Sequence, residues 1–277
     1  MRVVFMGTPE YALSSLRALV EAGHEVLAAV TQPDRPRGRG GRLTPPPVKV
    51  FALERGIPVF QPQSIRREGA GILSSLRPEV CVTAAYGQIL PEEVLAVPPL
   101  GTVNVHASLL PKYRGPAPVN WAIVRGETET GVTTMLTDRG VDTGDVLLQE
   151  KTAIGPEETA GELTGRLALL GASLLVHTLA CLPAGTCPRR PQDVGEMSYF
   201  PMLRKETGRV DWRMGARQIV NLARGLNPWP TAFSDSPWGT LKVLAARALP
   251  DGAGAKPGDV LAADAKQGLV VRAGDGA

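Results

Sequence analysis

Aromatic side chains are scarce, 5% of the 277 residues, so any core must be built from aliphatic side chains. Cysteine is rarer still. Cys81, Cys181 and Cys187 are odd in number and contain no Cys-x-x-Cys spacing, which excludes a disulfide framework and a thiolate zinc site as the organising principle. Histidine occurs only three times, leaving few imidazoles for a metal centre. No uninterrupted apolar run reaches the roughly 18 residues that read as a membrane span. The N-terminus, Met1–Gly7 followed by Thr8-Pro9-Glu10, is too short in apolar character for a secretory signal. The expectation is therefore a cytosolic protein without a membrane. A net charge of +3 is too small to imply a nucleic-acid partner unless the basic residues cluster.

What is present is an ordinary globular mixture, 43% hydrophobic and 21% charged, of a length that suits two domains. Apolar runs at Arg2–Met6, Glu25–Thr31, Ile57–Phe60, Val80–Ala85 and Gly101–His106 read as strands. Between them, Pro9–Ala22, Pro45–Arg55 and Ser64–Leu76 read as helices. Such alternation predicts a mostly parallel sheet covered by helices on both faces. Gly131–Thr137 and Val146–Ile154 are further strands. Glu157–Leu182 is a long helix with Leu163, Leu167, Leu170, Leu174 and Leu175 on its buried stripe. The texture then changes. Residues 1–185 form the expected α/β domain, 186–205 a Pro-, Gly- and Arg-rich linker, and 206–277 a small domain with one short helix, Ala216–Leu226, and short β runs such as Leu241–Leu244 and Leu269–Val271.

Three segments carry chemistry. In Gly101–Ser108, alternation puts Thr102, Asn104, His106 and Ser108 on one face of a strand whose other face is apolar. A central parallel strand is normally apolar on both faces, so this polarity marks either a site at the strand's carboxyl end or a structural hydrogen-bond network. Downstream, Asp138, Asp142 and Asp145 lie in a Gly-containing loop that can bring a carboxylate to His106, raising its basicity and fixing its tautomer; the bland alternative is aspartates bonding the local backbone. His24 in a turn and His177 in an apolar helix stripe read as structural, and no metal is expected. The third segment, Gln32–Pro47, holds Arg35, Arg37, Arg39 and Arg42 against one acid, Asp34, among glycines that would keep it mobile. It suits a polyanion, RNA in particular, or is simply a solvated loop. It lacks the Gly-Lys-Ser/Thr of a phosphate loop, and Gly7 lacks the companions of a dinucleotide fingerprint.

In this order, Phe5-Met6-Gly7-Thr8-Pro9, Thr31-Gln32-Pro33-Asp34-Arg35-Pro36, Ala85–Pro91, Asn104–Gly115, Thr130–Thr133, Asp142–Asp145 and Asn227-Pro228-Trp229-Pro230 resemble the methionyl-tRNA formyltransferase family. The Asn-x-His-x-Ser-Leu-Leu-Pro element alone marks the wider folate-dependent formyltransferases; the basic loop and the second domain narrow the resemblance. It implies a Rossmann-like catalytic domain, a linker and a C-terminal domain similar to an OB barrel. It implies formyl transfer from 10-formyltetrahydrofolate to the amino group of methionine on initiator tRNA, in a cytosolic protein taken as a monomer. By the same resemblance Asn104, His106 and Asp142 form the catalytic trio. Ser108, Leu109, Leu110 and Pro111 lie against the folate, Gln88, Ile89 and Leu90 line the pterin pocket, and Arg35, Arg37, Arg39 and Arg42 meet the tRNA. Family members usually run a few dozen residues past the position of Ala277, which implies an unfinished barrel with open strand edges. A formyltransferase for a small amine, a formyltetrahydrofolate hydrolase and an inactive RNA-binding relative are the rival readings.

Overall fold

A computed structural model describes residues 1–37, 41–237, 239–250 and 255–277. The chain runs β1 (Arg2–Gly7), α1 (Glu10–Glu21), β2 (Glu25–Val30), β3 (Arg35–Arg37), β4 (Arg42–Thr44), α2 (Pro47–Glu54), β5 (Val59–Phe60), α3 (Ile65–Leu76), β6 (Val80–Ala84), α4 (Glu92–Leu95), β7 (Thr102–His106), α5 (Pro118–Val124), β8 (Glu129–Leu136), β9 (Val146–Ala153) and α6 (Ala160–Cys181). It continues through α7 (Ala216–Gly225) and strands β10 (Ala232–Ser236), β11 (Gly239–Val243), β12 (Val260–Asp264) and β13 (Gly268–Val271).

Seven strands form one sheet in the order β5-β2-β1-β6-β7-β8-β9. The pairs β1–β2, β1–β6, β2–β5 and β6–β7 are parallel, and β7–β8 is antiparallel. Val3, Val4, Phe5 and Met6 of β1 and Val80, Cys81 and Val82 of β6 are wholly buried, as expected of central strands covered on both faces. Each large aliphatic side chain so buried contributes about 1.5–3 kcal/mol. The strand order reverses between β1 and β6, and β7 ends beside them. In open α/β sheets this carboxyl edge is where ligands bind.

The chain forms two compact units, and the division does not follow the sequence. The first comprises residues 1–116, 131–152 and 164–199; the second comprises 117–130, 153–163 and 200–277. The stretch 190–199, expected as free linker, is built into the first unit. Arg190 and Val146 exchange main-chain hydrogen bonds of 3.0 and 2.9 Å. In the second unit α5 lies along α7, and Leu203, Val210, Ile219, Leu222 and Leu226 form a buried cluster. Asp275 caps α7 by accepting from the Ala216 N–H at 2.7 Å. Among the described residues, the expected small barrel is represented by two separate antiparallel hairpins, β10–β11 and β12–β13.

Helix α6 starts at a reciprocal cap. The Thr159 N–H donates to Glu162 Oε2 at 2.9 Å, and the Glu162 N–H to Thr159 Oγ1 at 3.3 Å. By length and composition alone α6 is apolar enough to cross a membrane, a feature hidden from a search for uninterrupted apolar runs by Glu162, Arg166 and His177. Most of its leucines are nonetheless core residues: Leu163, Leu167, Leu174 and Leu175 are buried and Leu170 is half-buried, while Leu169 is exposed. His177, expected on that stripe, is on the exposed side instead. Cys181, at the end of α6, is joined to Cys187 by a disulfide, and Cys81 is free and buried.

Candidate active site at the carboxyl edge of the sheet

Asn104 and His106 project from the same face of β7, two residues apart, as the alternation requires. Asn104 sits opposite Thr83 in the β6–β7 register, and the Thr83 hydroxyl donates to Asn104 Oδ1 at 2.9 Å. That bond fixes the carboxamide, so its NH₂ end faces outward, with Asp142 Oδ1 at 3.5 Å. His106 is 7% exposed. Its Nε2 lies 2.9 Å from the Tyr113 carbonyl, and a carbonyl can only accept. The neutral ring therefore carries its hydrogen on Nε2 and has its lone pair on Nδ1, which faces Asp142 Oδ1 at 3.6 Å. The main chain of Tyr113, rather than Asp142, thus sets the tautomer; Asp142 supplies a counter-charge for a ring that gains a second proton.

Asp142 is held from several sides. Its Oδ2 accepts from the Gly115 N–H at 2.9 Å, and its backbone is left-handed, with φ 53°. The Gln192 side chain donates to the Asp142 carbonyl at 2.9 Å and to the Gly144 carbonyl at 2.8 Å. A side chain at Gly144 would run into the Leu136 carbonyl, so this turn requires glycine. Asp138 bonds the local backbone and Thr143, accepting from Gly140 N–H at 3.0 Å and from the Thr143 hydroxyl at 2.6 Å. Arg139 pairs with Glu92 of α4.

The Ser108–Pro111 turn is internally braced. Ser108, wholly buried, donates to the Lys112 carbonyl at 2.7 Å. Thr133, on the adjacent β8, donates to the Ser108 carbonyl at 2.7 Å and accepts from the Leu110 N–H at 3.1 Å. Leu110 is buried against Met135 and Val146, whereas Leu109 and Pro111 are half-exposed. Of the second segment, Leu90 belongs to the core beside Val94 and Tyr86, and Ile89 is 67% exposed. The Gln88 side chain turns back to accept from the Ile65 N–H of α3 at 2.8 Å. What Gly87–Leu90 leave available is their main chain: none of their N–H or C=O groups is hydrogen-bonded among the described residues.

On either side of residues 38–40 the basic segment forms two short strands. β3 and β4 pair antiparallel, with Arg35 opposite Thr44 and Arg37 opposite Arg42. Arg42 is exposed, Arg35 donates to Gln32 Oε1 at 3.2 Å, and Arg39 lies outside the described residues. At the foot of the hairpin Asp34 meets Lys49 at 2.8 Å; hydrogen bonds from Lys49 and then Gln61 hold its carboxyl below the usual range. Among the described residues no three His, Cys, Asp or Glu side chains group to hold a metal ion.

Sequence reading missed Thr83, the Tyr113 carbonyl, Gly115 and Gln192. Thr83 alone carried a signal, being the one hydroxyl in an otherwise apolar strand.

The Rossmann-like sheet that carries Asn104 and His106 at its carboxyl edge has the fold of the formyl transferases. The family profile, "Formyl transferase", matches residues 1–179, and the profile of the C-terminal domain of formyl transferases matches 202–277. A methionyl-tRNA formyltransferase of Pelotomaculum thermopropionicum is 52% identical over all of this chain and 88% of its own length. One from Geobacter metallireducens is 48% identical with the same two coverages. The chain belongs to the methionyl-tRNA formyltransferase family. Among solved structures, an N-formyltransferase from Helicobacter canadensis, crystallised with folinic acid and dTDP-3-aminofucose, superposes with a TM-score of 0.73 at 18% identity, covering 99% of this chain and 96% of that one. HypX from Aquifex aeolicus in complex with tetrahydrofolic acid superposes with a TM-score of 0.65 at 20% identity, covering 100% of this chain and 43% of that one. These two share the fold.

Proposed function

We propose that this chain moves the formyl group of 10-formyltetrahydrofolate to the amino group of methionine on initiator tRNA, with Asn104, His106 and Asp142 as the reacting side chains. The observation that carries the reading is the trio itself. A carboxamide whose NH₂ end faces outward beside Asp142, an imidazole lone pair and a carboxylate converge at the edge of β7.

The folate supplies an activated formyl group. The chemistry of the donor set suits it: the free main-chain donors and acceptors of Gly87–Leu90 match the alternating edge of a pterin, with Leu109 and Pro111 as apolar neighbours. Gln88, Leu90, Ser108 and Leu110 then act through the shape they give these loops. Asn104 Nδ2 donates to the formyl oxygen as it gains negative charge; losing one such donor costs about 10²–10³ in rate. The attacking amine loses a proton. His106 Nδ1 takes it, directly or through a water, while Asp142 steadies the resulting imidazolium; the bond between the formyl carbon and the folate N10 then breaks, and the proton held by His106 goes to the departing N10, leaving tetrahydrofolate and the formylated amine. Acid–base assistance of this kind is worth about 10²–10⁴. His106→Ala is expected to abolish most turnover while folate still binds; near-normal turnover would sink the assignment.

Arg35, Arg37, Arg39 and Arg42 hold the acceptor arm, arginine being suited to two-point phosphate contacts. We place the protein in the cytoplasm, where initiator tRNA is, as a monomer without a membrane role. Most leucines of α6 are spent on the core, in keeping with that placement.

The deciding experiment is formyl transfer to methionyl initiator tRNA, with methionyl elongator tRNA and free methionine alongside. Transfer to the initiator alone is expected. Transfer to a small amine instead would favour the sugar-type chemistry of its structural neighbours.

A further inference from the structure

Gln192 lies in a segment that the sequence presents as a connector, yet its surroundings are those of a built part. Residues 190–199 are fixed at both ends: Arg190 to Val146, and Ser198 to the turn after β7. The Ser198 side chain accepts from the Tyr113 N–H at 2.9 Å, and its carbonyl accepts from the Arg114 N–H at 2.9 Å. Between these anchors the Gln192 carboxamide is used at both ends. Its NH₂ serves the carbonyls of Asp142 and Gly144; its Oε1 accepts from Arg114 Nε at 3.1 Å and Nη2 at 2.7 Å. Arg114 is 6% exposed and immediately precedes Gly115, whose N–H holds the Asp142 carboxylate. One amide therefore ties the peptide of Asp142 to the segment that orients its side chain.

The Asp142 backbone needs such a tie. A non-glycine residue in the left-handed region is strained and persists where its surroundings over-determine it. We propose that Gln192 is a positioning residue for formyl transfer. It acts only through Asp142, holding that residue's peptide so that the carboxylate stays opposite His106 Nδ1. The inference rests on the reading of Asp142 as a reacting group.

The test is a double-mutant cycle on the full chain. Gln192→Glu keeps an acceptor for Arg114 but turns a carboxylate toward the Asp142 and Gly144 carbonyls; Gln192→Ala removes both sets of bonds. Gln192→Glu carries the test if Gln192→Ala does not fold. Each is made alone and with Asp142→Asn, and kcat, both KM values and Tm are measured. For Gln192→Glu, kcat should fall about 10–100-fold, the scale of a small misplacement of a reacting group. Both KM values should stay within about twofold, and in the Asp142→Asn background the same change should add nothing. Losses that multiply in the double variant, or a Gln192→Glu enzyme with full kcat while Asp142→Asn is impaired, overturn the inference alone. An unimpaired Asp142→Asn overturns the reading of Asp142 and the inference with it.

Discussion

Asn104 owes its orientation to a hydroxyl one strand away. Without the Thr83 O–H its carboxamide is free to turn its carbonyl end outward, where it would repel a developing negative oxygen rather than stabilise it. Thr83→Val is therefore expected to lower kcat about tenfold with little change in KM, and Thr83→Ser to restore it; Asn104→Ala should cost about 10²–10³. Steady-state kinetics of the three variants check this, and a Thr83→Val enzyme with wild-type kcat would show that Asn104 needs no such help. At this scale the sequence was only half legible. Alternation along β7 put Asn104 and His106 on one face, because period two is a local property. The bonds that set their chemistry are not local: Thr83 is 21 residues from Asn104, and Gln192 is 50 residues from Asp142. No spacing rule reaches that far. The Tyr113 carbonyl has no side-chain identity to read at all.

At the scale of elements, the basic segment shows how a charge run and a fold coexist. Alternating Arg with Gly and Pro gave no period, so β3–β4 was invisible in the sequence; the Asp34–Lys49 pair braces its foot. Pairing of β3 with β4 sets Arg35 and Arg42 on a defined backbone, which lowers the entropy lost on meeting phosphate. Arg42→Ala should weaken tRNA binding across tRNA sequences and reduce its salt slope by about one, leaving folate affinity unchanged. Titrations at several salt concentrations measure both, and an equal loss of folate affinity would show instead that the hairpin had collapsed. The long helix was legible for the opposite reason: leucine spacing over ten or more residues outweighs any local conflict.

Across the whole molecule, the neutral groups buried beside the sheet set an alkaline limit. Burial pushes the Cys81 thiol from an ordinary 9.0 to about 12 and, with Glu68 nearby, the Tyr86 hydroxyl from 10.0 to about 12; burial raises Tyr11 as well. The unfolded chain releases these protons first, so it binds fewer than the native state and stability falls as pH rises from about 9 towards 12. Below about pH 8 these groups contribute almost no slope. Denaturant midpoints at pH 8 and pH 10.5 should show the decline, and a smaller one in Cys81→Ala. The same thiol should be inert to alkylation at pH 8 until the protein is unfolded.

The interleaved division of the chain also bears on how such enzymes can be recombined. A graft at the apparent linker would transplant 200–277 without 117–130 and 153–163, the two excursions that belong to its unit. The graft would arrive with α7 missing α5, and the recipient would supply a foreign surface in its place. Exchange between relatives should therefore yield soluble chimaeras when all three segments travel together and insoluble ones when the cut follows the sequence. Inheritance in this protein goes by contact, and the linker is a poor guide to where one heritable part ends and the next begins.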